Sequence, residues 1–451
     1  MITDKINNAN EIDIARQALN MVHKNGAQAG RISLNIGIQN SFSILDNKLD
    51  RLQSANDRSL YIQIFVDDKY GAYSTNRLEK DELNNFIKGA IEATKLLAPD
   101  KCRQLPIKEL CYFGKGEDLG QFDSYILNMD PSDKKLFAFE AASEIYGTNK
   151  KLVSVSSEYG DVLDYQYMID SQGFEGDSLQ SNFTISVECS VKGEGDARPE
   201  GWWYESEMLF KEFSPKGCGK RALERALDKL GPKKIASSRM NMIVDRNCSS
   251  RLLSPIISAI NGSNIYQKNS FLTDKLGKQI FSNNMTLTDT PHLYGMQGSR
   301  YFDGDGIATK PLTIINKGIL NTYFINTYNA NKMGVAPTIE GPSVPCLSRD
   351  SFSKEYRELS GEKMIKLMGK GIFVTGFNGG NCNIGTGDFS YGIEGFYFQN
   401  GEILFPIKEM NITGNIIPLW NNLVFVGNDA RHCVRWQIPA LAFEGIDFTG
   451  I

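Results

Sequence analysis

The chain has 451 residues, 41% apolar and 23% charged, which suits a globular protein with one or two sizeable cores. Its net charge of -4 argues against a dedicated nucleic-acid binder, because phosphate contacts need a dense basic face. No apolar run approaches the ~20 residues that span a bilayer, so neither direct nucleic-acid contact nor a membrane is expected.

The opening residues MITDKINNANEIDIA lack the apolar stretch of a signal peptide. Eight cysteines (Cys102, Cys111, Cys189, Cys218, Cys248, Cys346, Cys382 and Cys433) are scattered without a CxxC pair. That usage fits a reducing compartment, and the expectation is a cytoplasmic protein.

In chain order, a first helix is predicted over Asn10–His23, with Ile14, Ala15, Ala18, Leu19 and Val22 on one face. Gly26 closes it. Alternation over Ile32–Ile38 and Leu60–Val66 predicts half-buried strands, with a further strand pair turning at Asp46-Asn47. Asp67-Asp68-Lys69 turns the chain into YGAYSTN. An amphipathic helix then carries Leu83, Phe86, Ile87, Ala90, Ile91 and Leu97, ending by Pro99. A third helix starts at Ser132 behind Pro131 and runs towards Gly147.

Lys151–Val191 reads as strand-rich, broken at Gly160, Gly173 and Gly176, and residues 192–201 as a polar turn or loop before Trp202-Trp203-Tyr204. The basic run Lys216–Lys234 alternates with acids and apolar residues, as on a solvated helix face; that helix, about Gly219–Leu230, ends at Gly231-Pro232. The domain boundary falls in this region, giving an N-terminal α+β domain over 1–215 and a β-rich C-terminal domain over 216–451.

In the second half, CSSRLLSPIISAINGS (248–263) predicts a short buried helix, with Ser254 as cap, Pro255 at its first position and Gly262 past its end. MNMIVD, QIFSNNMTLTD, PLTIINKGILNTYFINTY, GIFVTGF, GIEGFYFQNGEILFPIKEMNITG and NLVFVGND all read as strands with turns, Asn400-Gly401 marking a tight hairpin. Helices and strands are segregated, which predicts an α+β fold of two domains with antiparallel sheets.

Chemistry is constrained by a shortage. The chain has three histidines, His23, His292 and His432, no two close enough to share one turn of a zinc-binding helix. His292 reads as a turn residue. His432 and Cys433, adjacent on a strand, would point to opposite faces and cannot pair. Asp303 and Asp305 start like a calcium loop but lack its later ligands. The cluster GFNGGNCNIGTGDFSYG (376–392) lacks the endings of phosphate or dinucleotide loops; it reads equally as a functional surface or an irregular loop. No GxSxG elbow occurs.

The order of motifs resembles the TldD/PmbA family, described both as modulators of DNA gyrase and as a two-subunit metallopeptidase. The likeness rests on YGAYSTN, on SFLTDKLGKQIFSNNMTLTDTPHLYG (270–295), on RYFDGDGIATKPLTIINKGILNTYFINTYNANKMG (300–334) and on TGDFSYGIEGFYFQNGEILFPIKEMNITGN (386–415). Asp305 stands where the family usually has glutamate. The last segment is similar to the PmbA branch, also called TldE.

In the TldD branch, HExxxH on a central helix and a later cysteine hold zinc. Matching that helix places Leu253 and Ser258 at the two histidines and Ser254 at the general-base glutamate, so the resemblance implies a degenerate metal helix, no catalytic residue and no metal in this chain. Cys382 lies where the cysteine ligand is sought, but the ligand role does not carry over without its histidine partners. The resemblance further implies a zinc-bearing TldD-like partner in a heterodimer, with unfolded or extended peptides as substrates. Substrate contact is expected at Asn383, Gly385, Thr386, Gly387, Asp388, Phe389 and Ser390, where a peptide would add as a strand. A homodimer, a self-sufficient metallopeptidase, and a regulator binding gyrase or another protein remain alternatives.

Overall fold

The computed structural model describes residues 9–432 and 434–450. Its first half is built on one antiparallel sheet of β1 (Ala29–Leu45), β2 (Lys48–Val66), β3 (Lys69–Thr75), β4 (Leu152–Asp170), β5 (Glu175–Val191) and β6 (Glu200–Glu207). The spatial order is β3-β2-β1-β4-β5-β6. Hairpins turn tightly at Asp46-Asn47 and Asp67-Asp68, all four residues having positive φ. Helices α1 (Ala9–Lys24), α2 (Lys80–Lys95), α3 (Pro131–Ser143) and α4 (Cys218–Asp228) cover one face of this sheet. Ile32, Leu34, Leu60, Ile62 and Ile64 point into that layer and are fully buried, the alternation read from the sequence.

Two details differ from the sequence-based expectation. Gly160 and Gly176 do not break strands: they pair inside β4 and β5, and only Gly173 sits in the turn, with φ 90°. Ladder pairing on both sides of Gly160 outweighs its low strand propensity. The boundary expected at 215/216 would detach α4 from the sheet, yet Cys218, Ala222 and Ala226 are buried in the first core. The chain leaves that core only after α4.

The second half begins with β7 (Ser238–Val244), then α5 (Ser250–Ala259) and α6 (Gly262–Tyr266). A small antiparallel sheet, ordered β10-β9-β8-β11, follows from β8 (Leu287–Asp289), β9 (Leu312–Asn316), β10 (Ile319–Leu320) and β11 (Pro345–Leu347). Most of QIFSNNMTLTD is therefore loop. Thr327 and Tyr328, expected at the end of a strand, instead open helix α7 (Thr327–Met333), because Asn326 caps it through Asn329 N and Gly334 ends it with φ 66°.

After α8 (Gly361–Leu367) come β12 (Lys370–Cys382), β13 (Asp388–Gln399), β14 (Glu402–Pro406), β15 (Met410–Asn415), α9 (Ile416–Asn421), β16 (Leu423–Val426) and β17 (Leu441–Thr449). Asn400-Gly401 makes the expected tight turn between β13 and β14. The path β12-β7-β17-β15-β13 returns to β12 through the β12–β13 hairpin, so five strands close into a barrel. All its pairings are antiparallel except β12 with β7.

The halves are pinned at the FDGDG turn. Arg31 on β1, 2% exposed, donates to Asp170 Oδ2 at 3.0 Å and to the Asp305 carbonyl at 2.7 Å. Cys111, Met168, Phe174 and Phe302 form a small apolar cluster beside it. Among the described residues, no helix is long and apolar enough to cross a membrane.

Candidate functional site

Helix α5 leaves β7 through a turn in which the Asp245 carbonyl accepts from Cys248 N and Ser249 N. The helix therefore starts at Ser250, four residues before the expected cap, and Ser254 and Pro255 lie inside it. Pro255 cannot donate to the carbonyl four residues back, a defect the surrounding packing absorbs. Leu252, Leu253, Ile256 and Ala259 are fully buried. Trp420 of α9, also fully buried, donates its indole N–H to the Leu252 carbonyl at 3.2 Å.

The opposite face of α5 turns Ser250, Arg251 and Ser254 towards a cavity of about 450 Å³, whose other walls are Asn247, Cys248, Phe377 and Trp436. Arg251 is its charged group. The guanidinium donates to the Gly380 carbonyl at 3.0 Å and lies 5.2 Å from the Tyr391 ring centre, joining the helix to the β12–β13 hairpin.

The three matched helix positions do not converge. Leu253 faces the core, Ser254 the cavity, and Ser258 is half-buried with its carbonyl accepting from Asn264. Burial pushes the Cys382 thiol up to about 11, so it is protonated at neutral pH. Burial also raises the Cys248 thiol, which points at the Asp245 and Val374 carbonyls. Leu253, Ser254 and Ser258 offer no imidazole, thiolate or carboxylate to a zinc ion.

Asn383–Gly387 is a compact turn that uses most of its own polar groups. Asn383 N donates to the Asp388 carbonyl, Gly387 N to the Asn383 carbonyl, and the Asn383 side chain accepts from Gly385 N. Asn415 Nδ2 reaches both the Thr386 carbonyl and Asp388 Oδ1 at 2.9 Å. Asp388, Phe389 and Ser390 open β13, where β15 pairs with all three on one side and β12 with Phe389 and Ser390 on the other. No added strand can pair there. Among the described residues, the edge left without a strand partner belongs to β12: its pairing with β7 ends at Val374, and Phe377, beyond that point, lines the cavity.

The remaining candidates lie elsewhere. His292 Nε2 contacts Thr309 Oγ1 at 3.0 Å, and burial lowers its pKa. Asp303 accepts from the amides of Asp305, Ile307 and Glu340, while Asp305 accepts from Thr327 N at the start of α7. These carboxylates staple turns. His432 lies 3.1 Å from Glu207 Oε2, with Glu212 close by. Among the described residues these three form the one group spaced to hold a metal ion; Cys433 lies outside the described residues.

Sequence reading missed Arg251, Trp436 and Asn247, while Phe377 lies in the 376–392 cluster read as a candidate functional surface. Arg251 was within reach: it stands three residues before Ser254, on the same helix face.

Comparison with known proteins fits this architecture. The model of the PmbA/TldA metallopeptidase domain 1 matches residues 31–94, that of the central domain 124–230, and that of the C-terminal domain 237–450. Metalloprotease PmbA of Escherichia coli O157:H7 is 27% identical over 90% of this chain and 90% of its own length. A crystal structure from Bacteroides thetaiotaomicron VPI-5482, described as a candidate modulator of DNA gyrase, superimposes with TM-score 0.95 and 46% identity over the whole of both chains. TldE from Thermococcus kodakarensis, 17% identical, covers 97% of this chain and 100% of its own with TM-score 0.83, a likeness of fold. With these three matches in sequence order and a full-length structural counterpart, the chain belongs to the PmbA/TldD metallopeptidase family.

Proposed function

We propose that this chain is a noncatalytic, PmbA-type subunit that helps a zinc-bearing, TldD-like partner to process unfolded or extended peptides in the cytoplasm. The observation that carries this reading is α5: its three metal-helix positions hold Leu253, Ser254 and Ser258, and Leu253 is turned into the core. A hydrolytic zinc centre needs imidazole or carboxylate ligands and a general base, and none stands on this helix.

The chain's contribution is to bind. Phe377 and Trp436 offer apolar walls to a peptide side chain, while Asn247, Arg251 and Ser254 offer hydrogen bonds. The peptide contact expected around Asn383–Ser390 thus moves to the neighbouring β12 edge and the α5 cavity.

Zinc per chain, measured by elemental analysis after extensive dialysis, tests this together with hydrolysis of an unstructured peptide. The expected result is no hydrolysis by the isolated chain and hydrolysis once a TldD-like subunit is added. Any zinc retained at Glu207, Glu212 and His432 is recognised by its loss in His432→Ala. Zinc-dependent hydrolysis by the isolated chain, abolished by Cys382→Ser, would overturn the reading.

A further inference from the structure

Three ligand-type side chains from both halves meet beside the end of β6. Glu207 ends that strand, Glu212 ends the 3-10 turn Phe210–Glu212, and His432 lies in the connection from β16 to β17. One donor atom from each lies within 4.8 Å of the other two, and His432 Nδ1 stands 3.1 Å from Glu207 Oε2. Donors ~2.1 Å from one zinc ion, at right or tetrahedral angles to each other, stand ~3.0–3.4 Å apart. The imidazole and the carboxylate therefore already have the spacing of two ligands on a common ion. The set is more than an acidic patch, since it includes an imidazole and draws on three separate elements.

The backbone under each donor is held by other bonds. Glu207 pairs with Phe183 in the β5–β6 ladder. The Phe210 amide donates to Asp123 Oδ2 at 2.9 Å, which anchors the turn that carries Glu212. Arg431, next to His432 and only 9% exposed, donates to Asn247 Oδ1, the Tyr204 carbonyl and Glu205 Oε2, and its guanidinium lies 4.2 Å from the Tyr204 ring centre. Little ordering is left for an incoming ion to impose.

We propose that Glu207, Glu212 and His432 bind a divalent first-row transition ion, zinc above all, and that this ion ties the 427–440 connection to β6. One imidazole nitrogen and two carboxylates suit zinc, whereas magnesium and calcium call for a shell of oxygens. Glu212 and His432 are exposed, so the ion exchanges with solvent and leaves on extensive dialysis. The tie reaches the α5 cavity: the same connection supplies Trp436, one wall, and Arg431 holds Asn247, another. Ser249 Oγ, at the start of α5, donates to the Ile438 carbonyl of this connection at 3.0 Å. The inference needs neither a peptide nor a partner chain, so it stands apart from the proposed function.

The test is calorimetric titration of zinc chloride into the full chain, stripped with chelator and dialysed, for the parent, His432→Ala and Glu212→Gln. Amide exchange over 427–440 is followed with and without zinc, and circular dichroism checks that the variants fold. The parent is expected to show a saturable site with a Kd of about 1–10 μM, weakened about tenfold or more in each variant. Millimolar magnesium should not displace the zinc, and zinc should slow exchange over 427–440 in the parent alone. A parent without saturable binding below about 100 μM, or variants that bind as the parent does, would overturn the site. Displacement by magnesium would overturn the choice of ion. Binding that leaves exchange over 427–440 unchanged would overturn the tie.

Discussion

Placing ligand-type side chains on α5, with Leu253→His, Ser254→Glu and Ser258→His together, tests whether the helix is merely unfurnished or is turned the wrong way for metal. Leu253 is fully buried in the core that includes Leu252, Ile256 and Trp420. Losing a buried leucine side chain costs about 1.5–3 kcal/mol. A buried imidazole without a hydrogen-bond partner adds about 1–3 kcal/mol. Exposed Ser254→Glu contributes within about 0.5 kcal/mol either way. Leu253→His alone should therefore account for most of a loss of roughly 3–6 kcal/mol, a large part of a typical stability of about 5–15 kcal/mol. Denaturant unfolding followed by circular dichroism measures that loss, and elemental analysis of the dialysed triple variant measures zinc. A triple variant as stable as the parent and holding one zinc per chain would refute the reasoning, because it would require α5 to present residue 253 to the cavity.

Arg31→Ala removes the cation buried beside Asp170, 3% exposed, and should lower stability by about 3–5 kcal/mol; a loss below about 1 kcal/mol in denaturant unfolding would show that the pin between the halves is dispensable. Asp303 titrates at about 6 because it is buried and lies near Glu340 and Asp305. Its folded pKa is above the unfolded one, so its stabilising share is complete below about pH 4 and declines as pH rises towards 6, by about 3 kcal/mol in all. Asp303→Asn should remove that decline; parallel stability–pH curves for parent and variant would contradict it. Gly380 has φ 80°, and an added Cβ would sit 1.8 Å from the Ser390 carbonyl oxygen. Gly380→Ala should therefore destabilise the β12–β13 hairpin by more than about 1 kcal/mol, read as faster amide exchange there; unchanged exchange would count against the strain.

What could be read in the sequence was local. The apolar stripes of α1 and α2 and the turns at Asp46-Asn47, Asp67-Asp68 and Asn400-Gly401 depend on neighbours within a few residues, and all were found; α4 was found as a helix but read as a solvated face, although Cys218, Ala222 and Ala226 are buried. Helix α5 was found but started late, because Ser254-Pro255 looks like a helix start, while the real start depends on the Asp245 carbonyl closing the turn after β7. Helix α7 was hidden by strand-like alternation in NTYFINTY, although Asn326 and Gly334 mark its ends. Leu253 and Ser254 proved to lie on different faces of α5, one in the core and one at the cavity, which no reading of the sequence alone supplied. The cavity was hidden as well, since Trp436 and Phe377 reach α5 from far along the chain. Nor could the sequence show that both edges of β13 are taken at Phe389 and Ser390, a fact of pairing.

The closed barrel also has a consequence for how the chain is made. β7 finds one neighbour in β12 and the other in β17, so residues near 240 wait for residues near 445. Contacts that bridge so much chain form slowly. During synthesis the first sheet and α4 can assemble from residues already at hand, while β7 and the apolar face of α5 emerge without their partners. The second half therefore passes through a stage with exposed apolar surface and an open strand edge, when aggregation and chaperone capture compete with folding. Closure comes only when β17 arrives, so deleting residues 442–449 should harm solubility more than deleting residues 192–199 between β5 and β6.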